Sequence, residues 1–110
     1  MHTRHLDASQ PGAVNSAAEL LKQGQLVVFP TDTLYGIGAD AFNHSAISWL
    51  YQIKQRPLDK GIPVLLADLS DIVKVAHVLP PAAQDLIERC NAMISKILQR
   101  HLLKFLRQIW

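Results

Sequence analysis

Four apolar residues, Leu26-Val27-Val28-Phe29, stop at Pro30 and give way to Thr31-Asp32-Thr33-Leu34-Tyr35, closed by Gly36 and Gly38. This stretch constrains the fold more than any other. An apolar run bounded by proline and glycine is too short for a helix and reads as a buried strand ending in a shaped loop. A buried strand needs other elements to cover it, and the segments around it carry helical patterns. Together they imply an α/β arrangement. Loops at strand ends are also where binding groups concentrate, so the polar turn is a candidate wall of a site.

The flanking segments supply the rest of the expected architecture. Residues 1–14 form a polar lead-in. Asn15 or Ser16 can cap a helix through Gln23, with Ala17, Ala18, Leu20 and Leu21 on its apolar side and Gly24 placed to end it. The first strand is then Gln25 to Phe29, and residues 30–38 read as loop. Asn43 can cap a second helix to Ile53, with Ile47, Trp49, Leu50 and Tyr51 facing inward. A basic loop, Lys54 to Gly61, follows it. Ile62 to Ala67 is aliphatic and β-branched and predicts a second buried strand. Ser70 or Asp71 can open a short helix to His77. Pro80-Pro81 then breaks the chain before a helix from Pro81 through Arg89.

The 110 residues suffice for one modest domain. No apolar run approaches the roughly 20 residues needed to cross a bilayer. The first residues, Met1-His2-Thr3-Arg4-His5, lack the apolar core of a secretion signal. The single cysteine, Cys90, forms no internal disulfide, and the expected setting is a reducing, cytoplasmic one. Charge is divided unevenly. Residues 1–88 hold six Lys/Arg and nine Asp/Glu, a net of −3, whereas residues 89–110 hold five Lys/Arg and no acid, a net of +5.

Three cations, Lys54, Arg56 and Lys60, fall within seven residues around Pro57. They can be read as the solvated, dipole-favoured end of a helix. They can equally form an anion clamp, because arginine offers a planar donor fork and lysine a compact point charge. The polar loop from Thr31 to Tyr35 is also open to two readings. Thr31, Asp32 and Thr33 can satisfy backbone donors, with Tyr35 packed on the core, or they can face a substrate. Neither a phosphate-binding P-loop nor a dinucleotide fingerprint occurs. His2, His5, His44, His77 and Cys90 have no partners at metal-ligand or nucleophile spacing, so no protein-bound metal and no thiol catalysis are expected.

Pro30-Thr31-Asp32-Thr33-Leu34-Tyr35-Gly36 followed by Lys54-Gln55-Arg56-Pro57 resembles the YrdC/Sua5 family. The likeness extends through Lys60-Gly61-Ile62-Pro63-Val64-Leu65-Leu66-Ala67-Asp68-Leu69 and the helix to Arg89, covering residues 15–89. It implies part of that family's twisted mixed sheet with flanking helices. It also implies the activity of an L-threonylcarbamoyladenylate synthase, which joins L-threonine, bicarbonate and ATP into threonylcarbamoyl-AMP and pyrophosphate for tRNA modification. In that family the positions of Lys54 and Arg56 hold phosphate and carboxylate oxygens and are the expected catalytic pair. Thr33 and Tyr35, with Thr31 nearby, would line the threonine and carbamate pocket. Lys60 would be a further nucleotide contact. Magnesium is expected with ATP, held through the phosphates. The family is also associated with double-stranded RNA.

Past Arg89 the family's tryptophan-proline-glycine-proline segment and its S-x-N motif are not found, and Cys90-Asn91-Ala92-Met93 stands in their place. Residues 90–110 instead form a basic amphipathic pattern. Ile94, Ile97, Leu98, Leu102, Phe105, Leu106 and Ile109 lie on one side, opposite Lys96, Arg100, Lys104 and Arg107. The pattern suits a helix that covers apolar surface, an RNA- or membrane-surface helix, or a face for self-association. The expectation is a truncated or frame-altered family member with a partly built site. The alternative is a non-catalytic module that binds RNA or nucleotide.

Overall fold

The computed structural model describes residues 2–31 and 33–97, with side chains through Arg89 apart from Leu69. In chain order the elements are α1 (Ala13–Lys22), β1 (Val27–Pro30), β2 (Tyr35–Gly38), α2 (His44–Lys54), a 3-10 helix (Leu69–Lys74) and α3 (Pro81–Ile97). The mixed α/β class is as expected.

Helix α1 begins earlier than the Asn15 or Ser16 cap predicts. Pro11-Gly12 makes the entry turn, Gly12 adopts φ 82°, and the first helical bond runs from the Ser16 amide to the Gly12 carbonyl at 2.9 Å. A glycine able to take a left-handed conformation serves where a side-chain cap was expected. The helix ends as predicted. Gly24 sits at φ 83°, its amide bonds to Leu21 O and the Gln25 amide to Leu20 O, both at 2.9 Å. Those paired bonds form a Schellman cap. A β-carbon built on Gly24 would lie 2.8 Å from Asn43 Nδ2, so the end of α1 packs directly against the start of α2.

Residues 30–38 are more ordered than a loop. β2 pairs antiparallel with β1 in the register Val27↔Gly38, Val28↔Ile37, Phe29↔Gly36 and Pro30↔Tyr35. The loop proper is thus residues 31–34. Phe29 explains the two glycines of β2. Its ring lies across the strand, with atoms 3.1 Å from where a β-carbon would stand on either Gly36 or Gly38. The close approach that these glycines permit is to a cross-strand aromatic ring. Phe29, Val27, Val14 and Leu6 pack on the buried pair Ala17 and Leu21, which joins the hairpin to α1. Leu6 thereby anchors the polar lead-in. Hydrogen bonds donated by the Ser9 hydroxyl and amide hold the Asp7 carboxyl below its ordinary range.

Asn43 caps α2 as predicted, its Oδ1 accepting from the Ala46 amide at 3.0 Å. Ala46 and Leu50 are the buried face, while Ile47, Trp49 and Tyr51 are only half-buried. At the other end Gln55 takes φ 50°, its amide bonds to Gln52 O at 3.1 Å and the Arg56 amide to Tyr51 O at 3.0 Å. This is a second Schellman cap, built here on a residue with a β-carbon. Left-handed backbone costs a non-glycine residue about 1 kcal/mol. Gln55→Gly is therefore expected to stabilise the fold by about 0.5–1 kcal/mol, read as a higher midpoint in denaturant.

The strand predicted over 62–67 is not formed. These residues have no regular structure, although Ala67 is buried and Ile62 half-buried. A strand exists only as a member of a ladder, the described sheet has two strands, and Pro63 lacks an amide donor. The short helix predicted from Ser70 to His77 is a 3-10 helix, Leu69–Lys74, tied by the Asp71–Lys74 ion pair at 2.8 Å. Helix α3 opens at Pro81 as predicted and continues without a break past Arg89 to Ile97. The remainder of the predicted basic amphipathic tail lies outside the described residues. Among the described residues no helix is long and apolar enough to cross a membrane.

Candidate functional site

The predicted site residues fall into two loops, each closed by its own hydrogen bonds. At the hairpin tip Thr31 does most of the closing. Its amide bonds to the Leu34 carbonyl at 3.2 Å and its hydroxyl donates to the same oxygen. The hydroxyl oxygen also accepts from the Thr33 amide at 3.3 Å and the Leu34 amide at 3.1 Å. A hydroxyl has one proton and two lone pairs, so that of Thr31 is fully engaged within the turn. Thr31 thus acts as the brace of the tip, the role that Ser and Thr side chains take in local turns. Thr33 and Tyr35 are left facing solvent, and Tyr35 is 78% exposed although it opens β2 opposite Pro30. Asp32 lies outside the described residues.

The basic loop has a tighter frame. After the cap at Gln55 the chain turns at Pro57, where the Lys60 amide bonds to the Pro57 carbonyl at 3.0 Å. Two side chains then seize the far end of the loop. The Tyr51 hydroxyl donates to the Lys60 carbonyl at 2.7 Å, and Arg56 Nη2 donates to the Gly61 carbonyl at 2.8 Å. Lys54, Arg56 and Lys60 are all exposed on this closed loop. Closure fixes the backbone of a loop that carries three cations, Lys54, Arg56 and Lys60, and one carboxylate, Asp59, a net excess of positive charge. A loop of that kind favours an anion, because the repulsion between the cations is relieved when one binds. Arg56 commits one of its five N–H donors to Gly61.

Tyr51 has a second role beyond the inward position that its helical spacing predicts. Its apolar helical position marked it as a core residue, and its ring does line an apolar cleft. Its position three residues before Lys54, on the same helix face as the start of the basic loop, was the available signal.

That cleft, about 260 Å³, lies between the hairpin, the α2 face and residues 62–65. Phe29, Ile37, Phe42, Leu50, Tyr51 and Val64 are among its walls. None of Thr31, Thr33, Tyr35, Lys54, Arg56 and Lys60 lines it. The cleft is therefore apolar space beside the candidate site and lacks the charges an anionic substrate needs. Among the described residues no group of three or more His, Cys, Asp or Glu is arranged to hold a metal.

Comparison with known proteins identifies the family. The family model Sua5/YciO/YrdC, described as "Telomere recombination", matches residues 19–108, and its match runs on past Arg89. The Threonylcarbamoyl-AMP synthase of Acinetobacter baumannii (strain ATCC 17978) is 37% identical over 78 residues, 71% of this chain and 41% of that protein. The Threonylcarbamoyl-AMP synthase of Bacillus subtilis (strain 168) is 37% identical over 87 residues, 79% of this chain and 25% of that protein. A solved structure of a P. abyssi Sua5 variant superposes with a TM-score of 0.67 at 31% identity, covering 73% of this chain and 24% of the other. This chain thus spans well under half the length of these relatives.

Proposed function

This chain belongs to the YrdC/Sua5 family, and from that premise we propose that its two loops serve the synthesis of threonylcarbamoyl-AMP from L-threonine, bicarbonate and ATP. The observation that carries the proposal is the closed basic loop, which carries Lys54, Arg56 and Lys60 on a backbone tied by Tyr51 and Arg56. In this reading the threonine amine and bicarbonate form a carbamate with loss of water. A carbamate oxygen then attacks the α-phosphorus of ATP. The bond from that phosphorus to the bridging oxygen breaks, and pyrophosphate departs with the electron pair.

The attack on the α-phosphorus and the departure of pyrophosphate gather negative charge on phosphate oxygens. Fixed cations are most useful when they are in place before that charge develops. The Arg56 donors not used by Gly61, together with Lys54, stabilise the crowded phosphate, and Lys60 reaches the leaving pyrophosphate. The exposed Thr33 and Tyr35 offer hydroxyls to the amino acid and its carbamate. Magnesium enters with ATP, held by the phosphates as part of the substrate. No protein nucleophile is needed, since the work is positioning and charge stabilisation.

The decisive measurement is pyrophosphate release from ATP. Release is expected to require both L-threonine and bicarbonate and to fall to background when either is left out. Release that ignores both additives would contradict the proposal. A second reading, a non-catalytic module that binds RNA or nucleotide, draws on the full engagement of the Thr31 hydroxyl and the partial span of the relatives. ATP or RNA binding without any pyrophosphate release would favour it.

A further inference from the structure

Tyr51 grips both ends of the basic loop. Its main-chain carbonyl accepts the Arg56 amide at 3.0 Å, which fixes where the loop leaves α2. Its side-chain hydroxyl donates to the Lys60 carbonyl at 2.7 Å, which fixes where the loop ends. Between those points lie Pro57, Leu58 and Asp59, all exposed and with no packing core of their own. The ring of Tyr51 stands in the wall of the apolar cleft, so the hydroxyl projects from a residue seated on the body of the fold. One half-buried side chain thus ties the main chain at Lys60 back to α2. Arg56 adds a parallel tie to Gly61, and that tie is made by a group the nucleotide would also claim.

We propose that Tyr51 is a positioning residue: its hydroxyl latches Lys60 so that Lys54, Arg56 and Lys60 present a preformed cradle to the phosphates of ATP. The inference rests on the nucleotide reading of the loop and adds to it a residue that need not touch substrate. The latch has a specific consequence. If ATP draws Arg56 Nη2 as well toward its phosphates, the Gly61 tie weakens, and the Tyr51–Lys60 bond remains as the side-chain tie across the loop, beside the Lys60–Pro57 main-chain bond. Without the hydroxyl the Lys60 end of the loop is held by fewer bonds before ATP arrives, and affinity falls by the cost of ordering it on binding. Once bound, the reacting groups stand in the same arrangement. The loss therefore belongs to ATP affinity and KM, with kcat little changed.

The test is Tyr51→Phe, which removes one oxygen and keeps the ring in the cleft. Binding of Mg-ATP is measured by titration calorimetry, and hydrogen exchange is followed at the Leu58 to Gly61 amides. The expected result is about three- to tenfold weaker Mg-ATP binding, of the order one hydrogen bond supports. Faster exchange confined to the loop and an unchanged thermal midpoint complete it. Where turnover is measured, KM for ATP rises and kcat stays within about twofold. Unchanged affinity in Tyr51→Phe beside a weakened Arg56→Ala would overturn the latch and leave the nucleotide reading standing. Unchanged loop exchange overturns the latch whatever the ligand does. Mg-ATP binding that is indifferent to Arg56→Ala sinks the nucleotide reading and the positioning role together.

Discussion

Arg56→Ala is expected to lower threonine- and bicarbonate-dependent pyrophosphate release by about 100-fold or more, the usual cost of removing a donor that faces developing charge. The substitution acts twice. It removes the guanidinium donors left over for phosphate, and it cuts the bond to the Gly61 carbonyl that helps close the loop. The fold itself should hardly notice, because the lost bond is exposed and such bonds contribute about 1 kcal/mol or less. Arg56→Lys separates the two functions of charge and shape. It keeps a cation and loses the planar fork, so about a tenfold deficit is expected where alanine costs far more. Full activity in Arg56→Ala, measured beside an unchanged melting curve, would remove Arg56 from the site altogether. An equal collapse of activity and of folded protein would instead assign it a structural role.

Phe29→Ala is expected to cost about 2–4 kcal/mol of stability, a large part of the 5–15 kcal/mol that a domain typically has. Phe29 joins three parts of the fold. Its ring lies over Gly36 and Gly38, packs toward Ala17 and Leu21 of α1, and forms part of the cleft wall. Alanine would strip the cover from two glycines that have no side chains of their own to fill the space. Val28, its neighbour on the opposite face, is 62% exposed. Val28→Ala should therefore stay within about 0.5 kcal/mol of the parent. Chemical denaturation followed by circular dichroism distinguishes the two. Equal losses at both positions would mean that the hairpin does not bury its Phe29 face.

The legible parts of the fold were those governed by short-range chemistry. The Asn43 cap, the glycine stop at Gly24 and the proline start at Pro81 could be read directly, because each depends on a few adjacent backbone groups. The entry to α1 is not legible because Gly12 has no side chain to cap with, and Asn15 and Ser16, about one turn further on, are the more conspicuous cap signals. The hairpin was missed because Tyr35-Gly36-Ile37-Gly38 has poor intrinsic strand character. Its strand exists because the Phe29 ring supplies the bulk that its glycines lack.

The site divides along the same line. Lys54, Arg56 and Lys60 could be picked out from spacing and charge alone, as could the polar tip from Thr31 to Tyr35. Their order also carried the family likeness, since motif order is a property of the chain. Which groups remain free to bind could not be read there. The Thr31 hydroxyl is engaged by its own turn and Tyr51 is recruited to the basic loop. Both facts depend on where backbone carbonyls and amides come to rest.

Sequence by itself determined the α/β class, the two loops and the chemistry they can offer, because residue type and local spacing decide caps, turns and charge. Tertiary structure decided the rest. It paired residues 27–30 with 35–38 and left 62–67 without a ladder. It also closed the basic loop on Tyr51. The physical reason is common to all three. A strand needs a neighbour and a hydrogen bond needs a partner, and both are supplied by segments that meet only when the chain has folded.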